Sequence, residues 1–319
     1  MAGETNAKRV AILGMGGVGG FLGARLLSGD RSPGTEIIFV ARGETYKALS
    51  EGGLVFESGG TRTVVRPDQL IESGAVTEAA DLVLLATKST GLRSAVSENQ
   101  TLFSEKTLVL PLQNMVDAAS RIRPIVNGAQ VIDTCIYLIS NVKRPGQVRH
   151  LGGPGKIVAG FPEKERHTWF FSLLEKTGLE IRLREDIEVQ LWTKFLFISS
   201  LGALTAAYGL DFGSLLRSQL HWARWQRLME ELLQLAQASG VPLRSSAILE
   251  AREVVRNFPA NSRSSFQLDV AEGREGEKEV LIDEVIAKSR LLGLSPVTYD
   301  LMEELIRANI RTSRKETDG

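Results

Sequence analysis

One lysine interrupts a long apolar segment of the chain. Lys194 lies within residues 191–198, and its neighbours at helical spacing include Leu191, Phe197 and Ile198. Lysine is rarely buried unless it has a partner or a task. Desolvation lowers the pKa of an ammonium group, which makes it a better proton donor near neutral pH. Lys194 therefore suits the proton donor of a carbonyl reduction; a lysine whose stem packs while its head reaches water fits the same residues equally well.

A glycine-rich loop follows the first apolar run and precedes a helical segment. It consists of Gly14, Met15, Gly16, Gly17, Val18 and Gly19. In this motif the first glycine permits a tight turn, the second lets a pyrophosphate approach the backbone, and the third lets helix and strand pack closely. The N–H groups at the helix start then face the phosphates. The strand before the loop and the helix after it favour a dinucleotide-binding loop over an ordinary turn.

The end of the second apolar run bears on the choice of cofactor. NAD sites carry an acidic residue there for the ribose 2′-hydroxyl, whereas NADP sites carry a cation for the 2′-phosphate. Arg42 occupies this place, and residues 40–42 contain no acidic side chain. Because a guanidinium forms charge-assisted hydrogen bonds with phosphate, the sequence predicts NADPH and NADP+ as cofactors. A solvated surface arginine is the alternative.

Polar residues also follow two later apolar runs. Lys88 follows one run, and Gln113 and Asn114 follow the next. Ligands of open α/β sheets bind beyond the carboxyl ends of the strands. Lys88 suits a cofactor phosphate or a substrate carboxylate, and Asn114 suits the nicotinamide ribose or a substrate oxygen because an amide both donates and accepts. Each alone is equally well explained as loop polarity, but with the glycine loop they indicate one polar rim.

The first half of the chain has the pattern of a sheet that would align these strand ends. Continuous apolar runs separated by helical segments, such as 18–27 and 116–126, are typical of parallel strands covered on both faces. The runs are residues 9–13, 36–41, 81–86, 107–112 and 131–139. Residues 54–57 and 61–66 flank Gly59-Gly60 as a hairpin, and 147–150 with 156–159 form a last hairpin or edge pair. We expect an α/β fold with a doubly wound Rossmann sheet.

After residue 184 the pattern becomes helical. Residues 214–239 have apolar positions at helical spacing and stop at Gly240, and residues 281–292 stop similarly at Gly293. We place the boundary in the charged stretch 182–188. The prediction is an NADP-binding Rossmann domain over residues 1–184 and an all-helical substrate and catalytic domain over residues 185–319.

Composition excludes several classes of function. The 319 residues suffice for two domains of roughly 150 residues each. The 38 Lys and Arg residues balance 38 Asp and Glu residues, which argues against nucleic-acid or membrane partners bound through bulk positive charge. The longest uncharged stretch, residues 195–210, is shorter than the about 20 residues of a membrane span. Trp222 and Trp225, at helical spacing, suit a core or a homodimer surface better than a ligand-binding motif.

Cysteine and histidine usage is also informative. A single cysteine, Cys135, excludes an intrachain disulfide and a Cys-rich zinc site, and it fits a reducing compartment. The N-terminal residues have no apolar run of a secretory signal, so we expect a cytoplasmic protein. His150, His167 and His221 have no metal-ligand spacing, and no metal is expected.

Together these motifs resemble the ketopantoate reductase family over almost the whole chain, from about residue 10 to residue 307. The shared features are the Gly14–Gly19 loop, residues 40–43, 86–88, 112–114, 191–194, 204–206 and 264–266, Asp269, and residues 293–296. The resemblance implies a Rossmann domain followed by a helical domain. It also implies NADPH-dependent reduction of a small-molecule 2-oxo acid, 2-dehydropantoate, to (R)-pantoate in pantothenate biosynthesis. Lys88 and Asn114 match cofactor-side positions of the family.

The resemblance assigns further roles. Lys194 matches the catalytic lysine that protonates the substrate oxygen, and Glu277 matches the acidic partner that orients this chemistry. Ser265, with its neighbour Ser264, matches the position that holds the substrate carboxylate; without the resemblance, a plain helix N-cap is the favoured explanation of Ser265. The expected substrate-binding set is Asn114, Lys194, Ser264 and Ser265. Without the resemblance, Glu277 belongs to a run of charges that looks solvated.

The expected pocket departs from the family pattern. Asparagines one and two turns after the lysine are replaced by Ile198 and Gly202, a further polar position is Phe212, and the asparagine-glycine pair after the acidic residue is Ile282-Asp283. A site built to pair a hydroxyl discriminates strongly by it, and an apolar replacement cannot. The alternatives are a reductase of a more apolar 2-oxo acid, a related hydroxyacid or opine-type dehydrogenase with another proton donor, and a non-catalytic NADPH-binding sensor.

Overall fold

Strands fill most of the first half of the described chain, and helices fill the second. The structure, a computed structural model, describes residues 8–30, 34–162 and 168–317. The strands are β1 (Lys8–Leu13), β2 (Thr35–Ala41), β3 (Leu54–Ser58), β4 (Thr61–Val65), β5 (Gln69–Glu72), β6 (Leu82–Leu85), β7 (Leu108–Pro111), β8 (Gln130–Val131), β9 (Thr134–Arg144), β10 (Gln147–Ala159) and β11 (Ile181–Leu183). The helices are α1 (Gly17–Ser28), α2 (Gly43–Gly52), α3 (Leu92–Glu98), α4 (Ala118–Ile122), α5 (Trp169–Lys176), α6 (Ile187–Tyr208), α7 (Phe212–Arg217), α8 (Gln219–Ala238), α9 (Ser246–Arg256), α10 (Ser265–Ala271), α11 (Glu284–Leu291) and α12 (Val297–Thr317).

Six parallel strands form the main sheet, in the order β5-β2-β1-β6-β7-β8. The register pairs Val10 with Ile37 on one side and with Leu82 on the other. Relative to the chain, this is the strand order of the doubly wound dinucleotide-binding fold, with β1 at the centre. The middle strands are apolar along their length because both faces are covered, and Val10 and Leu82 have no exposed surface. The predicted Rossmann sheet is confirmed.

A second sheet, in the order β11-β10-β3-β4 with β9 paired to β10, is formed by strands from the same half of the chain. The hairpin predicted around Gly59-Gly60 is confirmed as the antiparallel pair β3 and β4. The second predicted hairpin is wrong, because residues 147–159 form one continuous strand. Its glycines absorb register shifts against β9 on either side of Gly152 instead of reversing the chain. The predicted strand 131–139 is also wrong: β8 ends at Val131, and β9 starts a different sheet.

Helix α1 lies between the two sheets, and its glycines make this close packing feasible. A Cβ at Gly20 would lie 2.5 Å from the side chain of Val148 in β10. A Cβ at Gly23 would lie 2.5 Å from the ring of Phe39 in β2. Side chains at these positions would push the sheets apart, so the glycines fix the helix, and with it the loop at its N-terminus, against β1 and β2.

The described residues divide into two compact units. Unit 1 runs to Gln113 and then from Asp117 to Ile187; unit 2 consists of Asn114–Val116 and the chain from Glu188 onward. Unit 1 contains both sheets. Unit 2 is helical, as predicted for the second half of the sequence, and α6 passes through its core. No helix in the described part of the chain is both long and apolar enough to span a membrane.

Unit 2 differs from the sequence prediction at two helix boundaries. The helix predicted over residues 214–239 is two helices, because Ser218 ends α7 and caps α8, accepting a hydrogen bond from His221 N at 3.3 Å. The helix predicted over residues 281–292 starts as α11 at Glu284 and follows a π-helical turn, Glu279–Asp283. Both helices end before glycines with positive φ, Gly240 and Gly293, as predicted.

Candidate active site

The glycine loop in unit 1 has the geometry that its spacing predicts. Gly14 has a φ of 100°, and a Cβ there would lie 2.8 Å from Thr87 N. A Cβ at Gly19 would collide with the backbone oxygen of Gly14. A Cβ at Gly16, in contrast, would meet no described atom within 4 Å. Gly14 and Gly19 are therefore required by the fold itself, whereas Gly16 leaves open space beside the backbone, which suits a pyrophosphate.

The other members of the loop act through their backbone. Gly16 is the N-cap of α1, and among the described residues no side chain caps this helix end. The Met15 side chain is buried, and Val18 packs against the core of unit 1. A Cβ at Gly17 would lie 2.6 Å from Ser140 O. The N–H groups of the first helical turn have no intrahelical partners and point along the helix axis, an arrangement that attracts anions.

Two cations flank this loop at the carboxyl edge of the main sheet. Arg42 follows β2, is exposed and forms the N-cap of α2. A Cβ built on Gly91 would lie 4.0 Å from Arg42 Nη2. Lys88 follows β6 and is also exposed. Because β1 lies between these two strands, both side chains start from the edge at which α1 begins, so the residues present fit a dinucleotide that carries an additional phosphate.

Gln113 has a structural position that its sequence context does not reveal. It is buried, and its Nε2 donates to Leu85 O at 3.0 Å and to Thr87 O at 3.1 Å. Its Oε1 is buried with no hydrogen-bond partner among the described residues. The side chain thus ties β7 to the chain that leaves β6, including Thr87, whose N lies against Gly14.

In unit 2, three predicted site residues form one hydrogen-bonded chain. Lys194 is 9% exposed, and its Nζ donates to Asn114 Oδ1 at 2.9 Å. Asn114 Nδ2 donates to Glu277 Oε2 at 3.2 Å. The amide can adopt only this orientation, because the opposite one would place its NH2 group against an ammonium and its oxygen against a carboxylate. Lys194 is thus a buried, partnered lysine, and the alternative of a head group in open water is wrong.

Glu277 emerges from a charged segment in a defined position. It is half-buried and lies two residues before the π-helical turn Glu279–Asp283. π-Helical turns are rare and often occur at functional sites. The sequence carries no local signal for this turn, and sequence reasoning missed it. Glu277 is a single site residue within a run of charges, and hydrophobic periodicity does not detect a single residue.

The serine pair at the start of α10 takes no part in the Asn114 chain of contacts. Ser264 is the N-cap: its Oγ accepts from Gln267 N at 3.1 Å and lies 2.9 Å from Thr205 Oγ1. Ser265 is the first helical residue and is exposed. The N-cap is therefore Ser264 and not Ser265, while the Ser265 hydroxyl lies next to N–H groups of the first turn.

The positions that lack the expected amides are apolar in the structure too. Ile198 lies one turn after Lys194 on α6 and is half-buried. A Cβ at Gly202 would lie 3.5 Å from the ring of Phe266. Phe212 is buried, with its ring 5.4 Å from that of Phe258 in an edge-on contact. Phe212 thus belongs to the core of unit 2, whereas Ile198 and Gly202 continue the face of α6 that carries Lys194.

A second group of charges adjoins Glu277. Lys278 pairs with Asp283 at 2.6 Å and with Glu303 at 3.0 Å, and Glu303 also accepts from Arg307. Burial alone would lower the pKa of Lys278, but the hydrogen bonds to Asp283 and Glu303 outweigh it and raise the pKa. Burial would raise the pKa of Glu303, but Arg307 and Lys278 hold it below 4.5. These residues line a cavity of about 420 Å³ that contains no predicted site residue.

The histidines and the cysteine remain outside this chemistry. His150 lies 2.9 Å from Ser58 Oγ and packs at a tilted angle against the Phe21 ring, and Cys135 is buried. His167 lies outside the described residues. The described ranges contain no group of three or more His, Cys, Asp or Glu side chains that could hold a metal ion.

A doubly wound dinucleotide-binding sheet, followed in the chain by a helical unit with a buried proton-donor candidate, is the architecture of a dinucleotide-dependent oxidoreductase. The sequence profile described as ketopantoate reductase PanE/ApbA matches residues 10–164, and the profile described as its C-terminal part matches residues 186–309. The chain therefore belongs to the ketopantoate reductase family. It is an oxidoreductase that acts on CH–OH groups with a nicotinamide cofactor.

Known relatives agree with this assignment over nearly their full lengths. A 2-dehydropantoate 2-reductase from Mesorhizobium japonicum is 25% identical over 322 residues, which cover 94% of this chain and 97% of the relative. The crystal structure of a PanE/ApbA family ketopantoate reductase from Ralstonia eutropha is 27% identical, with a TM-score of 0.85 and coverage of 96% and 99%. A ternary structure of D-mandelate dehydrogenase with NADH and anilino(oxo)acetate has a TM-score of 0.86, with coverage of 96% and 99%; at 18% identity, this likeness shows the fold alone.

Proposed function

We propose that this chain catalyses the NADPH-dependent reduction of a 2-oxo acid to a 2-hydroxy acid, with 2-dehydropantoate as first-choice substrate and (R)-pantoate as product. The chain of contacts from Lys194 through Asn114 to Glu277 is the observation that carries this proposal. It provides a buried cation with a fixed orientation, which is what protonation of a carbonyl oxygen requires. The matched relative from Mesorhizobium japonicum, named 2-dehydropantoate 2-reductase, supports the choice of substrate.

NADPH fits the residues of unit 1. The N–H groups at the start of α1 suit the pyrophosphate, and the open space at Gly16 permits its approach to the backbone. Arg42 and Lys88 suit the 2′-phosphate and another cofactor oxygen. Arg42 at the position of the usual acidic residue favours NADPH over NADH. When bound, the cofactor supplies the hydride for the carbonyl carbon.

Lys194 supplies the other half of the reduction. As the carbonyl carbon gains hydride, the carbonyl oxygen gains negative charge and takes a proton from the Lys194 ammonium group. The products are the hydroxy acid, NADP+ and a neutral lysine, which solvent reprotonates. Asn114 keeps the ammonium in place through Oδ1, and Glu277 holds the Asn114 amide in the orientation that allows this.

A more apolar 2-oxo acid is the second candidate substrate. Ile198 and Gly202, with the Phe266 ring near Gly202, favour it because this face of α6 offers no amide to pair a substrate hydroxyl. A non-catalytic sensor is disfavoured, because a buried lysine held by an amide and a carboxylate has no evident use without proton transfer.

The Ser265 hydroxyl at the start of α10 is the proposed contact for the substrate carboxylate. The homodimer and the domain boundary at residue 184 stay predictions.

The proposal is tested by following NADPH consumption with 2-dehydropantoate, 2-oxoisovalerate and phenylglyoxylate, and by resolving the hydroxy acid enantiomers formed. Turnover of 2-dehydropantoate to the R product supports the first candidate. Preference for phenylglyoxylate by kcat/KM supports the apolar one, and Ile198→Asn should then shift the preference toward 2-dehydropantoate. Ile198→Val is the matched control, because it changes volume without adding an amide. If no 2-oxo acid is reduced, the proposed reaction is wrong.

A further inference from the structure

Two buried hydroxyl groups hold the π-helical turn that follows Glu277. Ser199 Oγ donates to Leu281 O at 2.7 Å, and it also lies 2.7 Å from Tyr299 Oη. Ser199 and Tyr299 have no exposed surface, and Leu281 is buried. A serine hydroxyl has one hydrogen and the Leu281 carbonyl takes it, so Tyr299 must donate to Ser199. The direction of donation is therefore from Tyr299 to Ser199 to Leu281.

The peptide group of Leu281 connects these hydroxyls to Glu277. Leu281 N donates to Glu277 O at 2.9 Å, while Leu281 O accepts from Ser199. In the same turn, the N–H of Glu284 bonds to Glu279 O, five residues back, so the helix is locally wider than an α-helix. A widened turn displaces carbonyls from their usual partners, and a buried carbonyl without a donor is costly. Ser199 donates to the Leu281 carbonyl in this turn from a neighbouring helix.

Each hydroxyl is anchored to an element with a fixed place in unit 2. Ser199 lies on α6, five residues after Lys194, so one helix carries the proton donor and the contact to the π-helical turn. Tyr299 lies at the start of α12, where the N–H groups of Thr298 and Tyr299 donate to the Glu231 carboxylate at 2.8 and 3.1 Å. Burial raises the pKa of Tyr299 far above its ordinary value, so its hydroxyl keeps the proton that it donates.

We propose that Ser199 and Tyr299 are positioning residues for the reaction: through the Leu281 peptide they set the register of the π-helical turn, which places Glu277 against Asn114. The proposal rests on the proposed function, in which Glu277 orients Asn114 and thereby Lys194. Neither residue touches the reacting atoms, and both act through the backbone of one turn.

Kinetics of Ser199→Ala and Ser200→Ala provide the first test. Ser200 is a matched control because it is equally buried, donates to Leu196 O at 2.6 Å and accepts from Trp225 Nε1 at 2.9 Å, yet in the described chain it forms no side-chain hydrogen bond to the π-helical turn. We expect Ser199→Ala to lower kcat roughly tenfold with little change in the KM for NADPH, since small displacements of catalytic groups are expensive. Ser200→Ala should keep the wild-type kcat despite a comparable loss of thermal stability. Equal losses of kcat in both variants would overturn the proposal.

Tyr299→Phe is a milder variant that retains the ring and removes only the donated hydrogen. It should lower kcat in the same direction as Ser199→Ala but by less, because Ser199 can still donate to Leu281. In a Glu277→Gln background, Ser199→Ala should cause little further loss, since both substitutions disturb the same contact to Asn114. Full additivity of the two losses in kcat would show that Ser199 acts by another route, against the proposal.

A spectroscopic readout separates this proposal from the proposed reaction. The side-chain amide resonances of Asn114, assigned by their loss in Asn114→Ala, report its hydrogen bond to Glu277 without any turnover. We expect Ser199→Ala and Tyr299→Phe to shift these resonances in the direction that Glu277→Gln does, and Ser200→Ala to leave them in place. Unchanged Asn114 resonances in Ser199→Ala contradict the positioning role. A wild type that reduces no 2-oxo acid contradicts the reaction, while these shifts still decide whether the hydroxyls place Glu277.

Discussion

Lys194 Nζ donates a hydrogen bond to Asn114 Oδ1 at 2.9 Å, although the two residues are 80 positions apart in the sequence. The other end of the amide donates to Glu277, so Asn114 lies between a cation and an anion and cannot rotate without creating two repulsive contacts. The lysine is therefore held by a group whose own orientation is fixed. Such preorganisation reduces the entropy that a catalytic group loses on reaching its reactive position.

Asn114→Asp tests whether this orientation matters. The substitution is isosteric, but it replaces the Nδ2 donor with an oxygen that faces the Glu277 carboxylate, so the hydrogen bond becomes a like-charge contact. We expect kcat to fall at least about tenfold, because one misplaced catalytic group commonly costs this much. Asn309→Asp is the control: Asn309 Nδ2 donates to Ala206 O and Ala207 O at 3.0 Å, away from the site. It should lose stability but keep its kcat, and a wild-type kcat in Asn114→Asp would contradict the role of the amide.

Lys194→Ala removes the proposed proton donor. Proton transfer by a positioned side chain contributes about 10²- to 10⁴-fold, so we expect kcat to fall by at least about 10²-fold while NADPH still binds. Lys194→Arg distinguishes donation from charge, because a guanidinium keeps the positive charge but does not give up its proton near neutral pH. Steady-state kinetics and cofactor titration measure both effects. If the arginine variant works nearly as well as the wild type, Lys194 acts only as a charge.

The fold could be predicted where a local sequence pattern, such as a continuous apolar run or a helical stripe of apolar residues, is unambiguous. Continuous apolar runs predicted the parallel strands, and glycines after the helical segments predicted the helix ends. Two of the errors occurred where a single residue type has two uses. Glycines at 152–155 permit register shifts within a strand as readily as a turn, and Ser218 both ends one helix and caps the next.

The candidate site was only partly accessible to sequence reasoning. Lys194 stood out because a charge inside an apolar helix needs an explanation, and Asn114 because it follows a strand of the sheet. Glu277 did not stand out: its partner is 163 positions away, and it lies within a run of charged residues in the sequence. The resemblance to a family indicated Glu277. The contacts of Ser199 and Tyr299 required a π-helical turn that no local periodicity encodes.

Gly16→Ala and Gly19→Ala should separate cofactor binding from stability within one loop. The Cβ at position 16 meets no described atom within 4 Å, so the fold tolerates it, but it would occupy the space proposed for the pyrophosphate. We expect an unchanged melting temperature and a clearly raised KM for NADPH. The Cβ at position 19 collides with Gly14 O, and this overpacking should cost about 1–3 kcal/mol of unfolding free energy. Steady-state kinetics measure the KM for NADPH, and thermal melts with and without NADPH measure stability and cofactor binding. Unaltered NADPH binding in Gly16→Ala would argue against the proposed cofactor position.

Arg42→Ala should reduce the preference for NADPH over NADH and leave kcat at saturating cofactor unchanged. A hydrogen bond to a charged group contributes about 1.5–3 kcal/mol, which corresponds to roughly 10- to 150-fold in affinity for NADPH. NADH lacks the 2′-phosphate, so its KM should change little. Arg62→Ala serves as a control, because Arg62 is an exposed arginine on the edge strand β4. An equal rise in KM for both cofactors would place Arg42 elsewhere than at the 2′-phosphate.

Glu303→Gln should make the unfolding free energy of unit 2 less sensitive to acidification. Lys278 and Arg307 hold the pKa of Glu303 below 4.5, so its ion pairs stabilise the fold above that pH, and this contribution is lost as the pH falls through the folded-state pKa. Lys278 has a raised pKa, so its contribution is present below 10.5 and is lost as the pH rises through its folded value. Near neutral pH both are fully present, and the substitution should cost about 1.5–3 kcal/mol.

Urea unfolding near neutral pH and again well below pH 4.5 measures the difference between Glu303→Gln and the wild type. The difference in unfolding free energy should shrink on acidification, because protonation of Glu303 in the wild type removes the same charge that the substitution removes. Glu304→Gln, at the exposed neighbouring position on α12, should show little difference at either pH. A gap for Glu303→Gln that is equally large at both pH values would mean that its stabilising effect comes from packing and not from its charge.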